Sequence, residues 1–255
     1  MLRVRPIHFT SRLDEWERLL TGLGMVKTVD EPTWREFDAG SGRLALHFVE
    51  QGSADDGTTS LGVEVGDLKE FARRTKEAGA AEGGTTAELI EADHGPSCRI
   101  TAADGFTFLA DPATRATDGS WGGSAEEVRV LARTSLDDAV AAARTLRDIG
   151  AQPRPLPGSG TAGTDFNAAE SEAFLAKNGG ILMVGAGSGT GSAGLGFEYA
   201  GDLATLRERL SEAGHEAAVI EEAAIPTLHV ANPDADGTAA HPPLWISAAP
   251  SAGRL

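Results

Sequence analysis

The stretch TTSLGVEVGDLKEFARRTKEAG, residues 58–79, contains two different periods within one short unit. In its first half, apolar residues from Leu61 to Val65 alternate with small or polar ones, which is the period of a half-buried strand. Asp67 then stands where a helix N-cap is expected, and apolar residues recur at helical spacing up to Gly79. The stretch therefore predicts one strand followed by one capped helix that ends at Gly79.

The same signature occurs three more times along the chain. Strands are predicted at residues 4–9, 128–132 and 194–199, and each leads into an amphipathic helix. We expect Ser11 and Ser135 to cap the first and third helices, and Gly24, Gly150 and Gly214 to end the first, third and fourth. Four copies indicate an internal repeat.

Each predicted helix is followed by a hairpin pattern. Alternating segments flank turn sequences such as Asp104-Gly105 and Asn178-Gly179, which are strong hairpin signals. One unit is therefore a strand, a helix and at least two antiparallel strands, with room for a third. The fold class is α+β. At 255 residues the chain is long enough for two domains of two units each, at residues 1–115 and 125–250, and the glycine-rich segment 116–124 is the predicted linker.

Composition excludes several classes of protein. A formal charge of −16 argues against nucleic acid as a partner, because binding to phosphates needs a basic patch. No apolar run is long enough for a membrane span, and the first residues lack the apolar segment of a secretion signal, so we expect a cytoplasmic protein. The single cysteine, Cys98, excludes an internal disulfide and is interpreted as a small strand residue. Monomer and homodimer both remain open.

The capped helices that end at glycine, and closing strands such as AADGFTFLADP, together resemble the βαβββ modules of the vicinal oxygen chelate superfamily. That superfamily includes glyoxalases, extradiol dioxygenases and bleomycin-resistance proteins. The resemblance covers nearly the whole chain. It implies four βαβββ modules paired into two domains, each with a cup-shaped mixed β-sheet and its helices outside. The cup of such a domain holds a divalent metal or, in the binding proteins, only a ligand.

The resemblance also implies where metal ligands would stand. In the first domain His47 falls at one ligand position, whereas Ser60 and Leu109 or Ala110 fall at two others and Val4 at the fourth, with His8 offered by a register shift. In the second domain the matching positions carry residues without suitable donors: Gly194, Met183, Ile246, and Arg129 or Leu131. A divalent ion needs three or more N or O donors, so we expect no metal cofactor.

These residues lead to two hypotheses of function. The first is a small-molecule-binding protein similar to the metal-independent, resistance-type members, with a small apolar or aromatic molecule bound in the first cup by His8, Trp34, His47, Ser60 and Glu64. The alternative is a metal-dependent lyase or dioxygenase of the glyoxalase or extradiol type, with one divalent ion held by His8, His47 and Glu64. Glu64 and Glu198 occupy matching places in the repeat, which indicates a shared structural role.

Overall fold

The computed structural model describes residues 1–82, 84–113, 127–155, 171–187, 193–220, 225–235 and 241–250, and the predicted linker lies outside them. The first half contains β1 (Leu2–Val4), β2 (Ile7–Thr10), α1 (Leu13–Gly22), β3 (Val26–Asp30), β4 (Trp34–Asp38), β5 (Arg43–Phe48), β6 (Thr59–Ser60), β7 (Gly62–Val65), α2 (Leu68–Glu82), β8 (Thr86–Ala92), β9 (Gly95–Thr101) and β10 (Thr107–Pro112). The second half contains β11 (Val128–Leu136), α3 (Ala139–Asp148), β12 (Gln152–Arg154), β13 (Ser171–Leu175), β14 (Ile181–Ala186), β15 (Ala193–Tyr199), α4 (Leu203–Glu212), β16 (Ala217–Ile220), β17 (Thr227–Val230) and β18 (Leu244–Ala248).

These elements confirm an α+β chain built from four strand–helix–three-strand units. In every unit the last strand pairs in parallel with the first: β5 with β2, β10 with β7, β14 with β11, and β18 with β15. The first strands of units one and two run antiparallel, through β1 with β7 and β2 with β6, and those of units three and four do so through β11 with β15. Each half of the chain therefore forms a continuous curved sheet from two units.

Packing also connects the two halves. Residue Thr59 of β6 pairs with Ala193 of β15, and Ser41 forms an isolated bridge with Arg129. One hydrophobic core combines units two and three, with α2 against α3, and the other combines units one and four, with α1 against α4. The domain boundary at residues 116–124 stays a prediction, and both cores contain side chains from either side of it.

Two of the predicted caps are wrong. Ser11 does not cap α1, because its backbone N–H and its hydroxyl both donate to the carboxylate of Asp56. Ser135 lies within β11, which continues to Leu136, and α3 instead begins after Asp138, whose carboxylate accepts from the backbone N–H of Ala141 at 2.9 Å. Strand pairing with β14 extends β11 past the serine and so delays the helix.

The predicted end of α2 at Gly79 is also wrong, because the helix continues to Glu82. A Cβ atom at Gly79 would lie 2.1 Å from the carbonyl oxygen of Thr85, so glycine is needed there for close backbone approach rather than for a helix end. By contrast, Gly24, Gly150 and Gly214 all have positive φ angles near 90° and follow their helices as predicted. In the described ranges, no helix has the length and apolar character needed to cross a membrane.

Candidate functional site

The concave face of the first half is set by strict alternation along its strands. On β5, Leu44 and Leu46 are fully buried in the core beside α1, so Ala45 and His47 face the other way, into the cup. Phe48 was expected to join the two leucines, but it is 40% exposed at the end of the strand and lies outside both cores. The cup-facing side of β5 is therefore as predicted.

A cavity of about 720 Å³ opens on this concave face between units one and two. Its aromatic and aliphatic lining comes from Ile7, Phe9, Trp34, Phe106, Phe108 and Leu109. Its polar lining includes His47, Asp55, Thr59, Ser60, Asp93, His94, Arg99 and Asp111. The structure therefore brings Trp34, His47 and Ser60, three of the five predicted ligand-binding residues, to one cavity of a size that suits a small organic molecule.

The aromatic wall of the cavity is held in a fixed arrangement. The ring of His47 lies between those of Phe9 and Trp34, with centroid distances of 5.3 and 5.6 Å. Trp34 donates from its indole N–H to Glu36 Oε1 at 3.3 Å, and the guanidinium of Arg5 lies 5.5 Å from its ring centroid. Trp34 is therefore oriented before any ligand enters.

A buried ion network lies beneath this wall. It consists of three guanidinium groups and four carboxylates whose side chains are at most 6% exposed: Arg3, Arg5, Arg43, Glu36, Asp38, Glu64 and Asp111. Arg3 donates from Nε to Glu64 at 2.7 Å. Arg43 donates to Glu36, Asp38 and Glu64 at 2.7, 2.5 and 3.1 Å. Multiple charge-assisted hydrogen bonds of this kind are required to hold charges away from water.

The network reaches the cavity through Asp111. Arg5 donates to Glu36 at 2.9 Å and also to Asp111. The other oxygen of Asp111 accepts from Ser97 at 2.6 Å and lies 3.1 Å from Nε2 of His94, a rim residue. The ion network thus forms the floor of the first cup and links it to the cavity rim.

Burial raises the pKa of Glu64, an effect that Arg3, Arg43 and Arg5 oppose. The sequence did not identify the three arginines as part of the cup. Their signal was present: Arg3 and Arg5 alternate with Leu2 and Val4, so both point to the face opposite the core.

His8 and Glu64 lie away from the cavity. The imidazole of His8 is buried on the other face of the sheet, where Nδ1 lies 2.9 Å from the hydroxyl of Thr59 and Nε2 lies 2.8 Å from Asp234. Burial by itself raises the pKa of Asp234, but hydrogen bonds from His8, Thr10 and Trp16 lower it below its usual value. His8 therefore ties unit one to the turn of unit four.

The proposed metal set does not fit a divalent ion. His8 has both ring nitrogens engaged, both carboxylate oxygens of Glu64 are held by arginines, and His47 is packed between aromatic rings. Among the residues that the structure describes, no three His, Cys, Asp or Glu side chains are grouped so as to hold a metal ion. In the first cup, guanidinium groups supply the positive charge that a metal would bring.

The second half repeats the acid–base pairing at smaller scale. Glu198 accepts from Arg154 at 2.7 and 3.0 Å and lies 3.5 Å from Arg129. Gly194, which stands at the family's histidine position, lies opposite Arg133 in the pairing of β15 with β11. The matching places of Glu64 and Glu198 thus have the shared structural role expected from the repeat.

Comparison with known proteins places this architecture in a class. No protein family model and no curated protein matches the sequence. Among solved structures, the chain is similar to the 2,3-dioxygenase LapB from a Pseudomonas species (TM-score 0.60, 9% identity, 97% of this chain and 91% of that chain). It is also similar to a catechol 2,3-dioxygenase (TM-score 0.57, 16% identity, 97% and 86%).

A third similar structure is the Mn(II)-bound glyoxalase from Novosphingobium aromaticivorans (TM-score 0.55, 12% identity, 96% and 80%). The chain therefore has the fold of the vicinal oxygen chelate superfamily over nearly its full length, as the resemblance implied. Identities this low establish the fold, whereas function has to be argued from the site.

Proposed function

We propose that the protein binds a small aromatic molecule in the first cup, without a metal ion. The observation that carries the proposal is the 720 Å³ cavity, in which three aromatic rings stand above an ion network. Trp34 and Phe9 offer faces or edges for stacking, and His47 and Ser60 offer polar atoms to orient the ligand. A cytoplasmic location, as a monomer or a homodimer, stays a prediction.

The ion network supports this proposal because it fixes Trp34 from below. Glu36 accepts the indole N–H while Arg5 holds Glu36 and lies against the ring, so little side-chain freedom is lost when a ligand stacks on Trp34. A pre-oriented aromatic surface is what a binding protein needs. It needs no reactive group.

The second candidate is a metal-dependent lyase or dioxygenase. The similar folds of the catechol 2,3-dioxygenase and the Mn(II)-bound glyoxalase favour it. The donor set argues against it, since the carboxylates of the first cup already accept from arginines. We therefore place binding first.

Calorimetric titration with 1-naphthol and catechol tests the proposal. We expect at least one of them to bind in the presence of a metal chelator, and Trp34→Ala to weaken binding by about tenfold, which is about 1.4 kcal/mol. Phe48→Ala is the matched control, because Phe48 is an aromatic residue of the same sheet that does not line the cavity. Binding that needs an added divalent ion, or that is indifferent to Trp34→Ala, would favour the enzyme hypothesis or another site.

A further inference from the structure

A second, smaller cavity of about 170 Å³ lies where the two halves of the chain meet. It is lined by His8, Gly57, Thr59, Arg133, Gly194, Leu195, Asn232, His241, Pro242, Pro243, Leu244 and Trp245. These residues come from β2 and β6 of the first half, from β11, β15 and β18 of the second, and from the segments beside them. The cavity is thus distinct from the one proposed to bind an aromatic molecule, although Thr59 borders both.

The charges around the two cavities differ in sign. The first cavity is lined by Asp55, Asp93 and Asp111 against one arginine, Arg99. The lining residues of the second cavity, within the described ranges, include Arg133 and no carboxylate. In a chain with a formal charge of −16, a concave site with a cation and no lining acid is unusual and favours an anionic ligand.

Arg133 is seated by two glycines of β15. The guanidinium lies 5.3 Å from the ring centroid of Trp245. A Cβ atom at Gly194 would approach Nε and Nη2 of Arg133 to 3.3 Å, and one at Gly196 would meet the ring of Trp245 at 2.7 Å. Glycine at both positions therefore lets the arginine and the tryptophan lie close against the strand. Gly194 leaves room for a cation where the family places a metal-binding histidine.

The rim of the cavity is shaped in a similar way. Gly57 has a φ angle of +78°, and a Cβ atom there would meet Cε1 of His241 at 2.3 Å, so the imidazole lies directly on the backbone of residue 57. Asn232 donates from its side chain to the carbonyl oxygen of Pro242 at 3.2 Å, which holds the segment before β18 beside the opening. The rim is therefore built from both halves of the protein.

We propose that this cavity is a binding site for a small organic carboxylate, with Arg133 as the residue that holds the carboxylate group. A guanidinium presents two parallel N–H groups that match a carboxylate, and partial burial strengthens that pairing. Burial lowers the pKa of Arg133, yet an arginine keeps its charge at neutral pH. The volume, below the roughly 300–1,000 Å³ of sites for drug-sized ligands, limits the molecule to single-ring size.

The test compares benzoate with benzamide, which has nearly the same shape but no charge. Calorimetric titrations are made with the full chain in the Trp34→Ala background, so that the first cup does not contribute. We expect benzoate to bind in the millimolar range and at least tenfold more tightly than benzamide, with phosphate competing poorly. Arg133→Gln should remove that preference, whereas Arg207→Gln, which changes an exposed arginine of α4, should leave it intact.

Further arms keep the result interpretable. Arg133→Lys keeps the charge without the planar fork and should bind benzoate with intermediate affinity. If Arg133→Gln fails to fold, Gly194→Val replaces it, since the added side chain crowds the guanidinium. Equal binding of benzoate and benzamide, or no binding of benzoate up to its solubility limit, would overturn the proposal, as would an unchanged benzoate preference in Arg133→Gln. None of these outcomes affects the result with 1-naphthol in the first cup.

Discussion

Arg3 lies directly opposite Glu64 in the antiparallel pairing of β1 with β7, and Arg129 lies opposite Glu198 in the equivalent pairing of β11 with β15. Both pairs join the first strands of two neighbouring units. In the first half Arg43 adds hydrogen bonds to the glutamate, and in the second half Arg154 does so. The internal repeat has therefore kept a cross-strand ion pair at the centre of each sheet, and a larger network surrounds the one in the first cup.

Removing Glu64 tests how far the first cup depends on its ion network. Glu64→Ala leaves Arg3 and Arg43 with fewer acceptors in a site that water does not reach, and breaking a buried pair in this way costs about 3–5 kcal/mol. We expect urea unfolding to show a loss of this size. Glu70→Gln removes a glutamate from an exposed ion pair on α2 and should leave the urea midpoint unchanged. Equal midpoints for both variants would mean that the network is not structural.

Asp234 should make stability depend on pH at the acid end. Its carboxylate accepts from Thr10 at 2.5 Å and from the indole N–H of Trp16 at 3.0 Å, besides its contact with His8. The lowered pKa means that its contribution is complete above the unfolded value, near 3.8, and is lost as the pH falls through the still lower folded value.

We expect Asp234→Asn to lower the free energy of unfolding by about 1–3 kcal/mol at neutral pH. Denaturant titrations from neutral pH down to about pH 3 should show the difference between the two proteins narrowing only below about pH 4. A difference that stays constant through the acid range would mean that the carboxylate is not responsible. The variant still offers an acceptor to Trp16 and Thr10, so it is expected to fold.

Cys98 is expected to be unreactive in the folded protein. Burial raises the pKa of its thiol to about 11, so almost no thiolate is present near neutral pH. Ellman's reagent should label Cys98 only after unfolding in guanidinium chloride. Ser53→Cys adds an exposed thiol in the same chain and should be labelled at once under native conditions. Rapid labelling of the native wild-type protein would contradict the buried position of Cys98 on β9.

Much of this fold follows from the sequence because each unit repeats a local pattern. The alternation on β5 predicted the cup-facing position of His47, and the glycines after α1, α3 and α4 were read correctly from local preference. The caps were harder. Ser11 and Ser135 are equally good local caps, but Asp56 took the first serine and strand pairing took the second.

The position of His8 could not be predicted from local pattern. Its partner Asp234 is 226 residues away, in a turn whose neighbours gave no signal for the contact. The ion network is an intermediate case. Alternation sends Arg3, Glu36 and Glu64 to the same face, but only the register of β1, β4, β5 and β7 brings these charges together.

Metal analysis separates the two hypotheses of function. We expect protein purified without an affinity tag to contain much less than one divalent ion per chain, since the carboxylates of the first cup are held by arginines. Elemental analysis by mass spectrometry, before and after incubation with Mn²⁺ and dialysis, is the measurement. About one ion per chain that disappears in His47→Ala would contradict the expectation and promote the lyase or dioxygenase hypothesis.

Limited proteolysis tests how the two halves are joined. From its glycine-rich sequence, the segment between Thr114 and Ser124 is expected to be cut first. The nicked halves should nevertheless migrate together in size-exclusion chromatography, because Trp16 and Leu20 share a core with Phe197 and Leu210 of the other half. A denaturing gel of the same peak should show two fragments. Separation of the fragments under native conditions, or first cleavage inside a unit, would show that packing between units one and four is too weak to hold the chain together.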